Sequence, residues 1–381
     1  MKQTWIHSLL ILLIITIFSA CEEKPTIKHS GKTVEIGVIV PLSGEHVSLG
    51  VKALIGLNAA HALQPLTVTG DRIQLHIGDN NSSIKGSLSL LEKFAENTDI
   101  KAIIILLNSY GALSIKQMIN KKKIPVIAAI ATHETLTTQS NYITRVSSSN
   151  DTQGKMAAFF AHDELLINRV AVFYDADSVY STSLAQFFKE EFTDIGGTVY
   201  DELTANMPAD QLERRLRALQ EKGVELIYTS AIKRNAIHLL QINKKFNLNF
   251  QFIGTGNMLA NMKERGITDY TELSEGTFVV AEYFDDRIKS IIEQQMRRYA
   301  KKKAIEFNTH SLLAYDSYLL LRDALKNCAE CSRSTLNEAL RNNRGFAGIS
   351  DTIRTKDGDV KRPMFINKIH NEKMYVYVKV F

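Results

Sequence analysis

The sequence predicts an α/β protein built as two doubly wound lobes, each around its own parallel sheet. Three observations predict this. Short apolar runs such as Val34–Val40 (VEIGVIV), Ala102–Leu107 (AIIILL) and Val170–Tyr174 (VAVFY) have the pattern of strands covered on both faces. Amphipathic stretches separate them, as crossover helices do in a parallel sheet. The strand–helix series also runs once to about residue 130 and starts again at Val170, and 381 residues exceed one ordinary core.

Taken in order, the chain opens with Lys2, an apolar run Leu9–Ile15 and small residues leading into Cys21. A charged start, a short apolar stretch and a small-residue cleavage site describe a secretory signal peptide. The run is too short to cross a hydrocarbon core, which takes about 20 apolar residues. Phe18-Ser19-Ala20-Cys21 resembles a bacterial lipobox, which implies removal of residues 1–20 and acylation of Cys21. Stable anchoring takes two acyl chains or more. Residues 21–33, polar with Pro25 and Gly31, read as a tether.

The first series then predicts strands at 34–40, 73–77, 102–107 and 125–130, with helices at 49–62, 87–97 and 112–120. The polar stretch 141–151 reads as the first crossover between lobes. The second series predicts strands at 170–174, 198–202, 226–229 and 251–253, and helices at 183–194, 208–222 and 235–246. Gly196-Gly197 closes the first of these helices. Phe278–Ala281 begins a return, helices follow at 290–302 and 309–326, and the alternating 374–381 (MYVYVKVF) predicts a strand or hairpin arm.

Composition excludes several classes. With 45% apolar and 23% charged residues, the chain is ordinary globular material, and a net charge of +5 carries no nucleic-acid signature. The clusters Lys121–Lys123 and Arg297–Lys303 fall late in predicted helices, where cations suit the helix dipole. Cys328 and Cys331 read as a local structural disulfide: no thioredoxin-like context surrounds them, and a zinc site lacks two further ligands nearby.

No converging catalytic set is visible. There is no dinucleotide fingerprint, Walker loop or nucleophile elbow. His162-Asp163-Glu164 are helical neighbours and diverge, as do Asp285-Asp286. Asp71, His76 and Asp79 lie on one strand and its end, facing solvent or capping a turn. No cofactor, metal or enzymatic activity is expected. The strand C-termini are polar instead. Pro41–Gly44, Asn108-Ser109-Tyr110-Gly111, Ala131-Thr132 and Asp175–Ser181 offer hydroxyls and free N–H groups at or near helix starts, where anions bind. Ser109 and Thr132 on one lobe, with Tyr180 on the other, outline a site for a carboxylate.

The segments VEIGVIVPLSGEHVSLG, IPVIAAIATHETLT, YITRVSSSNDTQG, VAVFYDADSVYSTSLAQFFKEEFTDIGGTVY and GFAGISDTIRTKDGDVKRP occur in this order between Val34 and Pro363. In order and spacing the chain resembles the leucine/isoleucine/valine-binding family of type I periplasmic solute-binding proteins, from about Val34 to Phe381. The resemblance implies two lobes joined by a three-strand hinge, with a ligand buried between them and closure on binding. Lobe 1 would comprise 34–150 and 280–354, and lobe 2 would comprise 151–279 and 355–381. It also implies that Ser109 and Thr132 hold the ligand carboxylate, that a backbone group at Ile130 assists, and that Tyr180 covers the ligand. Leu49 and Ile232 stand where the family has tyrosines. The family's acidic residue for the ligand ammonium belongs in the turn 254–257, where this chain has Gly254-Thr255-Gly256-Asn257. Either Glu282 substitutes or the ligand lacks an ammonium. The cysteine pair of some relatives is also absent, with Asn81 and Asn108 in its place.

The expected function is a lipid-anchored, extracytoplasmic, monomeric solute-binding protein on a bacterial membrane. It would pass a small amino-acid-like, carboxylate- or amide-bearing ligand to an ABC permease. The alternative is an envelope lipoprotein of the same fold that acts as a sensor or protein-interaction module.

Overall fold

The computed structural model describes residues 31–232, 234–256, 258, 270–283, 290–304, 307–327, 332–371 and 373–380. Cys21, Asn257, Cys328 and Cys331 lie outside these. The first sheet holds β1 (Thr33–Val40), β2 (Arg72–Asp79), β3 (Ile100–Ile105), β4 (Val126–Ala128) and β5 (Ile143–Arg145), all parallel in the order β2-β1-β3-β4-β5. The second contains β6 (Arg169–Tyr174), β7 (Thr198–Thr204), β8 (Leu226–Thr229), β9 (Gln251–Thr255) and β10 (Phe278–Ala281), and repeats that parallel order as β7-β6-β8-β9-β10. A small antiparallel sheet of β11 (Phe346–Ala347), β12 (Thr352–Lys356) and β13 (Asp359–Lys361) follows. Then β14 (Met364–His370) and β15 (Lys373–Val380) add antiparallel strands beyond β10.

The apolar runs are buried on both faces, as parallel strands must be. In β1, Ile36, Val38 and Val40 pack into one core, and Ile39 packs into the core on the opposite face. The first of these cores continues into the helices Ile291–Lys303, Thr309–Ala324 and Arg333–Arg341, so the chain returns to the first sheet after visiting the second. The helix Val47–Leu63 lies against Thr309–Ala324 at very close range. A Cβ added at Gly56 falls 1.8 Å from the Ser311 carbonyl oxygen. Gly56→Ala is therefore expected to push these helices apart and destabilise the fold by about 1–3 kcal/mol, read as a lower denaturation midpoint. An unchanged midpoint would contradict the close approach.

Several boundaries differ from the sequence reading. Residues 141–151 include a strand, β5, so the crossover proper is short. The segment looked like a loop because two of the three residues of β5 are polar: Thr144 and Arg145 are each 1% exposed and carry the strand inside beside Ile143. The helix expected from 112 starts at Ser109, because the Asn108 side chain accepts the Gly111 N–H at 2.9 Å and caps it there. The switches between sheets also move from the expected divisions at 279/280 and 354/355. β10 stays in the second sheet to Ala281, and Ile353 and Val360 pack into the first core, which puts the last switch between Lys361 and Met364.

Candidate functional site

Two doubly wound sheets with the strand order 2-1-3-4-5 each have a switch point between their first and third strands, and ligands bind beyond strand C-termini there. The loops after β1 and β3 in the first sheet lead to Leu49 and Ser109. Those after β6 and β8 in the second lead to Tyr180 and Ile232. Thr132 follows β4, next to β3.

Ser109 is the first residue of the helix Ser109–Lys122 and is 3% exposed. Its hydroxyl accepts the Thr132 backbone N–H at 3.3 Å, which brings the two residues together. First-turn N–H groups have no acceptor within a helix, and the helix dipole is positive at this end. Ile130 and Thr132 are each 7% exposed, and the Thr132 hydroxyl oxygen is enclosed with no hydrogen-bond partner. A buried hydroxyl of this kind needs a partner, and a carboxylate oxygen is one.

The loop carrying Thr132 is held by a residue that sequence reasoning missed. Arg145, 1% exposed, donates from Nη1 to the carbonyls of Thr132 at 3.0 Å and His133 at 2.8 Å, and from Nη2 to Asp359 at 2.8 Å. Lys116 Nζ bonds the carbonyls of Thr135 and Thr138 from the neighbouring helix. Burial lowers the His133 pKa, against the opposing pull of Glu134. Its Nδ1 accepts the Thr135 N–H at 3.3 Å, as a neutral imidazole does.

Leu49 on this wall, and Tyr180 and Ile232 across the cleft, are half-buried. Ser181, one residue on, is 1% exposed and pairs with Ser230 at 2.9 Å, fixing the β6 loop to the β8 loop. The carboxylate of Asp175 accepts from Asn235 Nδ2 at 3.1 Å and from the Asp177 N–H at 3.1 Å. At the end of β9, Thr255 is 2% exposed and its hydroxyl has no partner. Among the described residues, one bond between side chains joins the two walls directly: Ser183 Oγ donates to Glu134 Oε2 at 2.6 Å. It exists only with the lobes together, so Glu134→Ala is expected to lower ligand affinity up to about tenfold and enlarge the ligand-free protein in X-ray scattering. Identical dimensions and affinity would show that the bond does not bias closure.

All three crossovers meet in a buried charged network. Asp316 (0% side-chain exposure) pairs with Arg362 (1%) at 3.2 Å, and it accepts from the Tyr283 hydroxyl at 2.8 Å and the Ile349 N–H at 2.9 Å. Arg362 stacks 4.7 Å from the Tyr283 ring centroid and reaches the Val146 carbonyl at 3.4 Å. Burial opposes charge on Arg362, but Tyr283, Asp316 and Glu282 overcome it and hold the guanidinium protonated. Glu282, the candidate substitute for the missing acid, is 5% exposed and accepts the Ser148 N–H at 3.0 Å, on the hinge. Of the carboxylates set aside earlier, Asp79 holds the Leu42 N–H at 2.8 Å and the Ser43 hydroxyl at 2.7 Å, His76 pairs with Glu35, and Asp71 caps a turn with Thr69. Among the described residues, no group of three or more His, Cys, Asp or Glu could hold a metal.

Comparison with known proteins settles the family. The family profile for periplasmic binding proteins matches residues 33–373. The chain belongs to the periplasmic binding protein family. Within it, the chain is similar to the Leu/Ile/Val-binding protein homolog 1 of Brucella abortus (strain 2308), 23% identical over 360 residues, 92% of this chain and 95% of that one. The leucine binding protein LivK of Thermotoga maritima MSB8 superposes with a TM-score of 0.79 at 22% identity, covering 91% of this chain and 98% of that chain. A solute binding protein of Rhodopseudomonas palustris HaA2, solved with p-hydroxybenzoic acid, gives 0.78 at 16%, covering 92% and 97%. The expected likeness to leucine/isoleucine/valine-binding proteins and the two-lobed α/β fold are thus borne out. As a periplasmic binding protein, the chain is a binder of solutes rather than an enzyme. Among its described residues, no helix is long and apolar enough to cross a membrane.

Sequence reasoning on this binding protein missed Arg145, Glu134, Ser183, Asn150 and Thr255. The arginine after the short run Ile143-Thr144 was the one sequence signal at Arg145, and its burial is visible only in the structure. The others look like loop and helix-start polar residues.

Proposed function

We propose that this periplasmic binding protein is lipid-anchored through Cys21 and captures a small monocarboxylate between its two lobes for an ABC permease. The observation that carries this reading is the enclosed, unpartnered Thr132 hydroxyl beside Ser109 at a helix N-terminus and a topological switch point. Ser109 and Thr132 dock the carboxylate, with a backbone group at Ile130 assisting. Tyr180 adds contacts made on closure, and Leu49 and Ile232 supply apolar walls. Relatives solved with leucine, with isoleucine and with hydroxybenzoic acids all hold carboxylates, which supports this class of ligand. The lobes move as units about the crossovers near Val146–Asn150, Glu282-Tyr283 and Arg362-Pro363. The chain works as a monomer.

The test is a thermal-shift and calorimetric panel of amino acids, hydroxy acids, aromatic acids and amides. A carboxylate is expected to bind, and neutral amides lacking one to fail. No binding across the panel, with capture of an envelope protein instead, would favour the sensor or interaction reading. Mass spectrometry of the N-terminal peptide is expected to show an acylated Cys21.

A further inference from the structure

One more polar group at the cleft has an unmet demand. Asn150 is 0% exposed and opens the helix Asn150–Phe159 just after the first crossover. Ser149 is the cap of that helix, accepting the Thr152 N–H at 3.2 Å, so capping does not occupy the Asn150 side chain. The Asn150 backbone N–H donates to the Thr132 carbonyl at 2.8 Å. Its Nδ2 donates to the Tyr180 carbonyl at 3.4 Å. Asn150 is therefore bonded to both ligand-facing walls. A carbonyl only accepts, so the amide nitrogen must face Tyr180, and rotating the amide would set oxygen against oxygen. The other end, Oδ1, is enclosed and has no partner. It is an acceptor waiting for a donor.

We propose that Asn150 is a specificity-determining residue. Its Oδ1 accepts from an uncharged hydroxyl or amide on the carbon next to the ligand's carboxylate, so the site selects 2-hydroxy acids over zwitterionic amino acids. The inference rests on the reading that Ser109 and Thr132 dock a carboxylate. Two arguments carry it. The backbone bond from Asn150 to Thr132 makes residue 150 a neighbour of the carboxylate dock, and the donor is accordingly assigned to the adjacent carbon. Asn150 is also neutral, and Glu282, Glu134 and Asp175 are each already directed at a donor of their own: the Ser148 N–H, the Ser183 hydroxyl and the Asn235 amide. A hydroxyl is satisfied by one neutral acceptor. An ammonium held at Asn150 meets a neutral oxygen in place of an acid, which makes its burial costly.

Three acids with one skeleton test this by isothermal titration calorimetry on the full chain: L-2-hydroxy-4-methylpentanoate, L-leucine and 4-methylpentanoate. The wild type is expected to bind the hydroxy acid at least about tenfold more tightly than the other two. Asn150→Asp, nearly isosteric, is expected to reverse the order in favour of leucine. Asn150→Leu is expected to erase the gap between the hydroxy acid and 4-methylpentanoate. Circular dichroism melting checks that each variant folds, and the wild-type ranking stands alone if one does not. A wild type that prefers leucine, or an order unchanged in Asn150→Asp, overturns the proposal. If the three acids bind equally and all weaken in Thr132→Val, the carboxylate dock survives and this inference falls. If none binds, or all bind regardless of Thr132→Val, both fall.

Discussion

Replacing Asp316 with alanine is expected to cost about 3–5 kcal/mol of folding stability, because it leaves the Arg362 guanidinium buried without its counter-charge. Asp316 and Arg362 have side-chain exposures of 0% and 1%, so water cannot take over the lost partner. The Tyr283 hydroxyl and the Ile349 N–H lose their acceptor as well. The loss falls on the hinge, where Ser148, Tyr283 and Arg362 belong to three different passages of the chain between the sheets. Chemical denaturation is the measurement. A second variant separates charge from packing: in Asp316→Leu with Arg362→Met, both charges leave together, and much of the stability is expected to return. If Asp316→Ala loses less than about 1 kcal/mol, the pair is not the structural clasp that its burial implies.

The second large effect concerns Thr132. Its hydroxyl is enclosed and has no hydrogen-bond partner within the protein. Thr132→Val keeps the shape and removes an unmet hydrogen-bonding group. The ligand-free protein is therefore expected to be as stable as the parent, or more stable by about 0.5–1 kcal/mol. Ligand affinity is expected to move the other way. A hydrogen bond to a charged group contributes about 1.5–3 kcal/mol, so the dissociation constant of a bound carboxylate should rise by about 10- to 100-fold. The opposite signs matter, because a merely structural threonine would lose stability and leave affinity alone. Ser109→Ala differs. It strands the Thr132 N–H, now bonded to Ser109 Oγ at 3.3 Å, and is expected to lower stability as well as affinity. Calorimetry and melting on the same samples resolve the two effects, and unchanged affinity in Thr132→Val would remove it from the site.

Much of the fold could be read from the chain because apolar runs in parallel strands are local signals. VEIGVIV, AIIILL and VAVFY each became a central strand. The lysines late in helices also lie where expected: Lys121 and Lys122 in one last turn, and Lys301 to Lys303 in another. β5 escaped notice because Thr144 and Arg145 are polar and their burial is supported by distant partners. The small sheet β11–β13 and its place beside the first core were also hidden, since strands of two to five residues carry little periodicity. Of the candidate site, Ser109 and Thr132 stood out as hydroxyls after strands. Asn150 and Thr255 did not, because an unmet hydrogen bond is a property of surroundings rather than of residue type.

By itself, the sequence determined the two strand–helix series, the polar loops at the strand ends, and the hydroxyls in them. These depend on residues close together in the chain, through periodicity and helix capping. Only the tertiary structure decided which polar groups are spent and which are still open. Glu282 is spent on Ser148, Arg145 on the loop of Thr132, and Asp316 on Arg362, while Thr132 and Asn150 keep one atom each without a partner. The reason is physical: satisfaction of a buried polar atom depends on neighbours that may lie 134 residues away, as Glu282 lies from Ser148.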